Sequence, residues 1–394
     1  MTRAVLTLNA GSSSLKFALY TADAERRRLA VGQLEGIGVH PHLVVRDENG
    51  HTLIEWNWKS ADRLPAHPEV LHGLIDYLRA TYADLDIAGV GHRVVHGGPV
   101  YEAPVLIDDE VVATLERFVP LAPLHQPHNL TGIRAARAAF PGVPQVACFD
   151  TAFHRHHPWV ADTYGLPYEL WEEGVRRYGF HGLSYEAVWG KLVARAPAMA
   201  TGGRAVIAHL GSGASMCAVK EGVSVGSTMG FSTVEGLPMG TRSGSLDPGV
   251  LLWMMQEKGW DAEKITEVLY KKSGLKGLSG ISADMRDLEA SDTPGAKRAI
   301  DFFVFRIKRE ICAMTSVLGG LDAVVFTGGI GEHSALVRAR ATEGLDFLGV
   351  EIDPAANAVD APIVSTPASR VTVHVIPTDE EGVIATHTAR LIGA

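Results

Sequence analysis

Three short stretches carry the residue types from which a phosphate site is built. In "LNAGSSSLKFALY" (8–20), Asn9, Gly11, Ser12, Ser14 and Lys16 lie in and beside a turn between two apolar runs. Glycine lets the backbone come close to a ligand, hydroxyl and amide groups donate to its oxygens, and Lys16 adds a positive charge. "IAHLGSGASMCAV" (207–219) repeats the pattern: laid on residues 6–19, it sets Gly211 on Gly11 and Ser212 on Ser12. One such turn alone reads as a plain hairpin; a second copy and the lysine point to phosphate. The third stretch, "FTGGIGEHS" (326–334), follows an apolar run and precedes the helical pattern "ALVRARATEGL". A strand, a glycine turn and a helix start can accept a phosphate or nucleotide at the helix N-terminus. Neither G-x-x-x-x-G-K-[ST] nor G-x-G-x-x-G occurs, so this is not a P-loop or a dinucleotide fingerprint.

The elements around these turns read as α/β layers. Apolar, β-branched runs at 4–8, 143–149, 205–210, 323–329 and 371–376 predict strands. Between them lie helical patterns, the clearest with Thr293 as cap, Pro294 as first residue, and Ile300, Phe303, Val304, Ile307, Ile311 and Met314 on one stripe. Strands alternating with helices predict a largely parallel or mixed sheet. With 394 residues, two domains are expected, and the repeated strand, turn, strand unit suggests that they are alike.

Composition narrows the function classes. A formal charge of −9, with "KKSGLKGLSG" (271–280) the one basic, glycine-spaced stretch, argues against a nucleic-acid surface. At 46% hydrophobic and 21% charged residues, with no long apolar run, a membrane span is not expected. The opening residues lack the pattern of a secretory signal, which predicts a cytoplasmic protein. Cys148, Cys217 and Cys312 read as reduced thiols rather than a disulfide framework. "HRHH" (154–157) has a metal-like look but no completing ligand set, and Trp56 and Trp58 alternate as in a strand.

Beyond the turns, "GHRVVHGG" (91–98), "PLAPLHQPHN" (120–129), "FDTAFH" (149–154), "RRYGFHG" (176–182), "MGTRSG" (239–244) and "PTDEE" (377–381) complete a series of signatures covering nearly the whole chain. With "NAGSSSLK", "HLGSGAS" and "FTGGIGE", they resemble the acetate kinase family, which includes propionate kinases. The resemblance implies an α/β fold of two duplicated βββαβαβα domains, of the actin, Hsp70 and sugar kinase superfamily (ribonuclease H-like), around a cleft. Residues 1–150 with a C-terminal helix of about 382–394 would form one domain, and 151–381 the nucleotide-binding one. It implies a homodimer without nucleic-acid or membrane partners. The reaction would be reversible phosphoryl transfer from ATP to a short carboxylate, dependent on Mg2+ or its substitute Mn2+.

The resemblance also implies roles, which suit a reaction that needs positioning and charge neutralisation rather than covalent help. Asp150, His181 and Arg242 would be catalytic: His181 and Arg242 on the moving phosphoryl group, Asp150 holding Arg242 or the substrate. Arg93, His125, Val95, Leu124, Phe180 and Thr233 would meet the acyl substrate. Asn9 and Glu380 would support the metal. Asn9, Ser12, Ser14, Lys16, His209, Leu210, Gly211, Ser212 and Gly213 would meet the phosphates, Asp284, Met285 and Arg286 the adenosine, and Gly329, Ile330, Gly331, Glu332 and His333 the ribose and α-phosphate.

The chain departs from its relatives at Ser212 and His333, where asparagine is usual, and at Thr233, where proline lines the methyl pocket. Ser245 replaces a common aspartate. Val95 matches the bulkier choice of acetate enzymes, so acetate leads and propionate is the alternative, one methylene being worth only about 1–3 kcal/mol. A nucleotide-driven binding module would bind ATP without forming an acyl phosphate. A sugar kinase would need a base for an alcohol, which an ionised carboxylate does not.

Overall fold

The computed structural model describes the chain except residues 1, 12–13, 37–40, 58–72, 74–76, 79 and 83–84. Ser12 and Trp58 thus lie outside the described residues. Two compact units emerge, Met1–Phe153 with Asp379–Ala394, and His154–Thr378.

The first unit is built on β1 (Thr2–Ala10), β2 (Leu15–Thr21), β3 (Arg28–Glu35), β4 (His42–Asp47), β5 (Thr52–Asn57), β6 (Leu85–Val94), β7 (Val105–Leu106) and β8 (Gln145–Phe149). Their order in the sheet is β5-β4-β3-β2-β1-β6-β8-β7. From Ala4 to Ala10 every residue of β1 is buried, because both faces of the strand are covered. Val5, Ala18 and Tyr20 pack on Ala385 and Ala389 of the helix Glu380–Ile392. Leu6, Leu8, Phe17 and Leu19 pack on the opposite side with Ala135 and Ala136 of the helix Gln126–Ala139. Gly91 of β6 permits the close approach of the first helix: a Cβ there would stand 2.3 Å from Thr388 Oγ1 and 2.5 Å from Ile384 Cγ2.

The second unit holds β9 (Arg204–Leu210), β10 (Ala214–Lys220), β11 (Val223–Ser227), β12 (Ala323–Thr327) and β13 (Thr372–Val375), ordered β11-β10-β9-β12-β13. Three antiparallel strands lead into two parallel ones, the same pattern as β3-β2-β1-β6-β8. The repeat suggested by the two turns is therefore a repeat of topology. The turns themselves differ by one residue. Pairing resumes at Ala10↔Leu15 in one hairpin and at Leu210↔Ala214 in the other, so the match at Gly11 and Gly211 slips after the turn. Gly11 N–H donates to Ser14 O (2.8 Å), and Gly211 N–H to Gly213 O (3.0 Å).

The stripe from Ile300 to Met314 is buried along the helix Pro294–Leu318, whose first turn is capped by the Thr293 hydroxyl. The glycine cluster after β12 is itself helical, Gly328–His333, before the expected helix Ala335–Thr342. Trp56 is 58% exposed on β5, so packing within the strand does not account for it. "HRHH" is a packing site: His154 Nδ1 (2.8 Å) and His157 Nε2 (2.6 Å) share the Ser224 hydroxyl, and burial pushes the His157 ring down to about 2. All three cysteines are free thiols. Among the described residues no helix is long and apolar enough to cross a membrane.

Candidate active site

In open α/β sheets, ligands bind beyond the carboxyl ends of the parallel strands. There, in the first unit, lie Asn9 near the end of β1, Arg93 near the end of β6 and Asp150 just after β8. Register sets them side by side: Leu8 faces His92, and Arg93 faces Cys148. Arg93 grips Asp150 with two parallel bonds, Nε to Oδ1 (2.9 Å) and Nη2 to Oδ2 (2.6 Å), the strong bidentate form. Its Nη1 donates to Asn9 Oδ1 (3.2 Å). Glu380, at the start of the C-terminal helix, stands 3.8 Å from Arg93 Nε and accepts a long bond from Asn9 Nδ2 (3.5 Å).

Electrostatics set the protonation states of this cluster. Burial opposes the charge on Arg93, but Asp150 and Glu380 outweigh it and hold the guanidinium charged. Burial pushes the Glu380 carboxyl up to about 7; Asp150 and Glu381 reinforce the effect, and Arg93 and Lys16 oppose it. Carboxylates thus outnumber their cations here. Asp150, expected to hold Arg242 or the substrate, has both carboxylate oxygens on Arg93, a partner 57 residues away in sequence.

The other first-unit candidates are placed as follows. Val95 is buried, and its N–H donates to Asn129 Oδ1 (2.9 Å), while Asn129 Nδ2 donates to Ala10 O (2.8 Å). Asn129 thus ties β1 to the segment after β6, a link that sequence spacing does not signal. His125 precedes the helix Gln126–Ala139 and caps it through its backbone carbonyl. Leu124 is half-buried beside it, and Lys16 is exposed on β2 opposite Asn9. Ser14 closes the first turn with its carbonyl.

The second unit assembles a different set. His181 has φ 58° and ψ 23°, a left-handed conformation that costs roughly 1–2 kcal/mol outside glycine. Its ring stacks on His209, with centroids 4.3 Å apart, and its Nδ1 bonds to Ser215 Oγ (2.8 Å). Ser215 Oγ in turn bonds to the Tyr185 hydroxyl. His209 Nδ1 meets Ser184 Oγ (2.8 Å), which accepts from Thr378 Oγ1 (2.8 Å). A Cβ on Gly213 would lie 3.3 Å from His181 Nε2 and 3.7 Å from Arg242 Nη2. His181 and Arg242 therefore converge on the second glycine turn. Ser212 O receives Gly240 N–H (3.1 Å), which draws the loop of Arg242 onto this turn, and Leu210 is buried beneath it. Arg242 Nη1 donates to Thr233 O (2.9 Å). Ser215, Tyr185 and Ser184 were not anticipated, because nothing in their spacing marks a partner for a histidine ring.

Around the third glycine stretch, Glu332 Oε1 accepts from Gly328 N (2.9 Å) and Thr378 N (3.3 Å), making it a brace for the loop. Gly329 is open, Ile330 half-buried and Gly331 buried, while the His333 ring is exposed 3.6 Å from Asp360. Asp284 caps its own short helix and pairs with the exposed Arg286 (2.6 Å). Met285 and Phe180 are buried core side chains.

Among the described residues, no group of three or more His, Cys, Asp or Glu side chains could hold a metal. Mg2+ does not require one, since it keeps waters and binds one or two carboxylates together with substrate phosphates. The first-unit cluster fits that demand: its donors, Asn9 Oδ1 and Glu380, are oxygens, and its carboxylates exceed its cations.

The family model of the acetokinase family matches residues 4–386. The chain is 52% identical to an acetate kinase of Methylocella silvestris, covering 100% of this chain and 98% of that one. It is 53% identical to an acetate kinase of Nitrobacter hamburgensis, covering 98% and 96%. Among crystal structures, a Porphyromonas gingivalis acetate kinase matches with a TM-score of 0.88 at 37% identity, covering 99% of each chain. A Francisella tularensis propionate kinase matches with 0.91 at 36% identity, covering 99% and 100%. Fold and relatives together define a phosphotransferase with a carboxyl group as acceptor, on the duplicated actin, Hsp70 and sugar-kinase type of fold. The chain belongs to the acetokinase family.

Proposed function

We propose that the protein transfers the γ-phosphoryl group of ATP to acetate, reversibly, giving acetyl phosphate and ADP. Family membership supports the reaction, and one observation supports Arg93 as its anion site: a half-buried guanidinium held in a fixed orientation by Asp150. Of the five N–H groups of Arg93, three are used by Asp150 and Asn9, which leaves two for an incoming carboxylate or phosphoryl oxygen. Acetate is already an anion and needs no base; its difficulty is repulsion from the phosphoryl oxygens, which a fixed cation relieves.

Arg242 and His181 supply donors for the equatorial oxygens of the transferring group. The bonds around His181 suit a chain in which Tyr185 O–H donates to Ser215 Oγ and Ser215 O–H donates to Nδ1. That chain leaves the proton of the neutral ring on Nε2, the nitrogen beside Gly213. Asn9 and Glu380 would hold Mg2+, which when bound neutralises phosphate charge and orients the leaving group. His209 and the turns 11–14 and 211–213 take the phosphates, and residues 284–286 and 329–333 the nucleoside. Free thiols and ATP as donor support a cytoplasmic enzyme, and family resemblance supports a homodimer.

Hydroxylamine trapping tests the reaction. With Mg2+ and ATP, acetate is expected to give the hydroxamate faster than propionate or butyrate, and glucose to give none. Propionate ahead of acetate would reassign the substrate. ATP binding with no hydroxamate from any acid would leave only a binding module.

A further inference from the structure

We propose that Tyr164, Arg177 and Glu235 form a clamp whose work is to aim Arg242, with Glu235 as the positioning residue. The inference rests on the catalytic role given to Arg242 above.

Both Glu235 carboxylate oxygens are engaged. Arg177 Nη1 donates to Oε1 (2.6 Å) and the Tyr164 hydroxyl to Oε2 (2.6 Å). The same hydroxyl accepts from Phe231 N–H (2.7 Å), and Arg177 Nη2 reaches Ser227 O (3.3 Å). The turn 231–235 is thus fastened at both ends by one phenol. Midway between those fastenings lies Thr233, whose carbonyl accepts from Arg242 Nη1 (2.9 Å). The return of the chain is fixed as well, by paired bonds between Gly236 and Ser245: Gly236 N to Ser245 Oγ and Ser245 N to Gly236 O, each 2.9 Å. Gly230 belongs to the device, since a Cβ there would stand 2.0 Å from Glu235 Oε2 and 2.1 Å from the Tyr164 hydroxyl.

An arginine side chain has about 2 kcal/mol of rotamer freedom to lose, and a misplacement of about 1 Å can cost on the order of a hundredfold in rate. A carbonyl held at a set position removes that freedom at Nη1 and leaves Nη2 near Gly213 and His181 Nε2. The path from the clamp to Arg242 runs through the backbone of Thr233, whose carbonyl takes the guanidinium.

The test is a double-mutant cycle. Tyr164→Phe keeps the ring and deletes both hydroxyl bonds; it is expected to lower kcat ten- to a hundredfold, with KM for ATP and acetate within about twofold. Placed in Arg242→Ala, the same change is expected to alter kcat by less than about twofold, because the group being aimed is gone. Glu235→Gln, which keeps hydrogen-bonding capacity, is expected to lose less than Glu235→Ala. If Tyr164→Phe lowers kcat by the same factor in both backgrounds, or not at all in the wild type, the clamp does not act through Arg242 and the proposal falls. If Arg242→Ala itself turns over near normally, it is the functional reading that fails. Circular dichroism reports folding; should Tyr164→Phe be unfolded, Glu235→Gln and Glu235→Ala take its place in the cycle under the same criteria.

Discussion

Arg242→Ala is expected to lower kcat for acetyl phosphate formation by about 10²–10³-fold, the size of effect seen when one preorganised donor to a developing charge is removed. The physical reason is that this guanidinium acts on charge that builds up during transfer, so its loss falls on kcat more than on KM. The fold should survive, because the loop of Arg242 is held by backbone bonds from Gly240 to Ser212 and from Met239 to Arg242, which do not depend on its side chain. Steady-state kinetics with circular dichroism checks both halves. A folded variant with near-normal turnover would remove Arg242 from the mechanism.

Arg93→Met is expected to cost both turnover and stability. Asp150 is 1% exposed in its side chain and Glu380 14%, and each would lose the guanidinium beside it. Breaking a buried pair from one side typically costs about 3–5 kcal/mol. The sign of its pH dependence follows from the carboxyls. Glu380 already titrates near 7, above its ordinary 4.5, and losing Arg93 raises it further. A group with a raised folded pKa contributes stability that is present below its unfolded pKa and lost as pH rises through the folded one. The variant should therefore be closest to wild type near pH 4–5 and fall behind above pH 7. Urea unfolding at pH 5 and pH 8 measures this; an equal deficit at both pH values would mean that the carboxylates are not the cause.

Much of the architecture was legible because it repeats. The hairpin at 8–20 and its copy at 207–219 announced paired halves, and Thr293, Pro294 and the stripe to Met314 announced the long helix. The candidate residues Asn9, Arg93 and Asp150 near strand ends, and His181 at a helix start, stood within long signatures of one family. What stayed hidden was pairing across sequence. That Asp150 belongs to Arg93, that Ser215 meets His181, and that Tyr164 fastens Glu235 are facts of sheet register and loop folding, joining residues 57, 34 and 71 positions apart. The one-residue difference between the two turns was hidden too, because aligning glycines says nothing of where pairing resumes.

The central claim is a single displacement, in which the acetate oxygen attacks phosphorus as the ADP oxygen leaves, with fixed cations and no covalent enzyme intermediate. The alternative places the phosphoryl group first on a carboxylate such as Glu380. Transfer from ATP made chiral at its γ-phosphorus decides between them. One displacement predicts inversion of configuration in acetyl phosphate; retention would require two and would contradict the account.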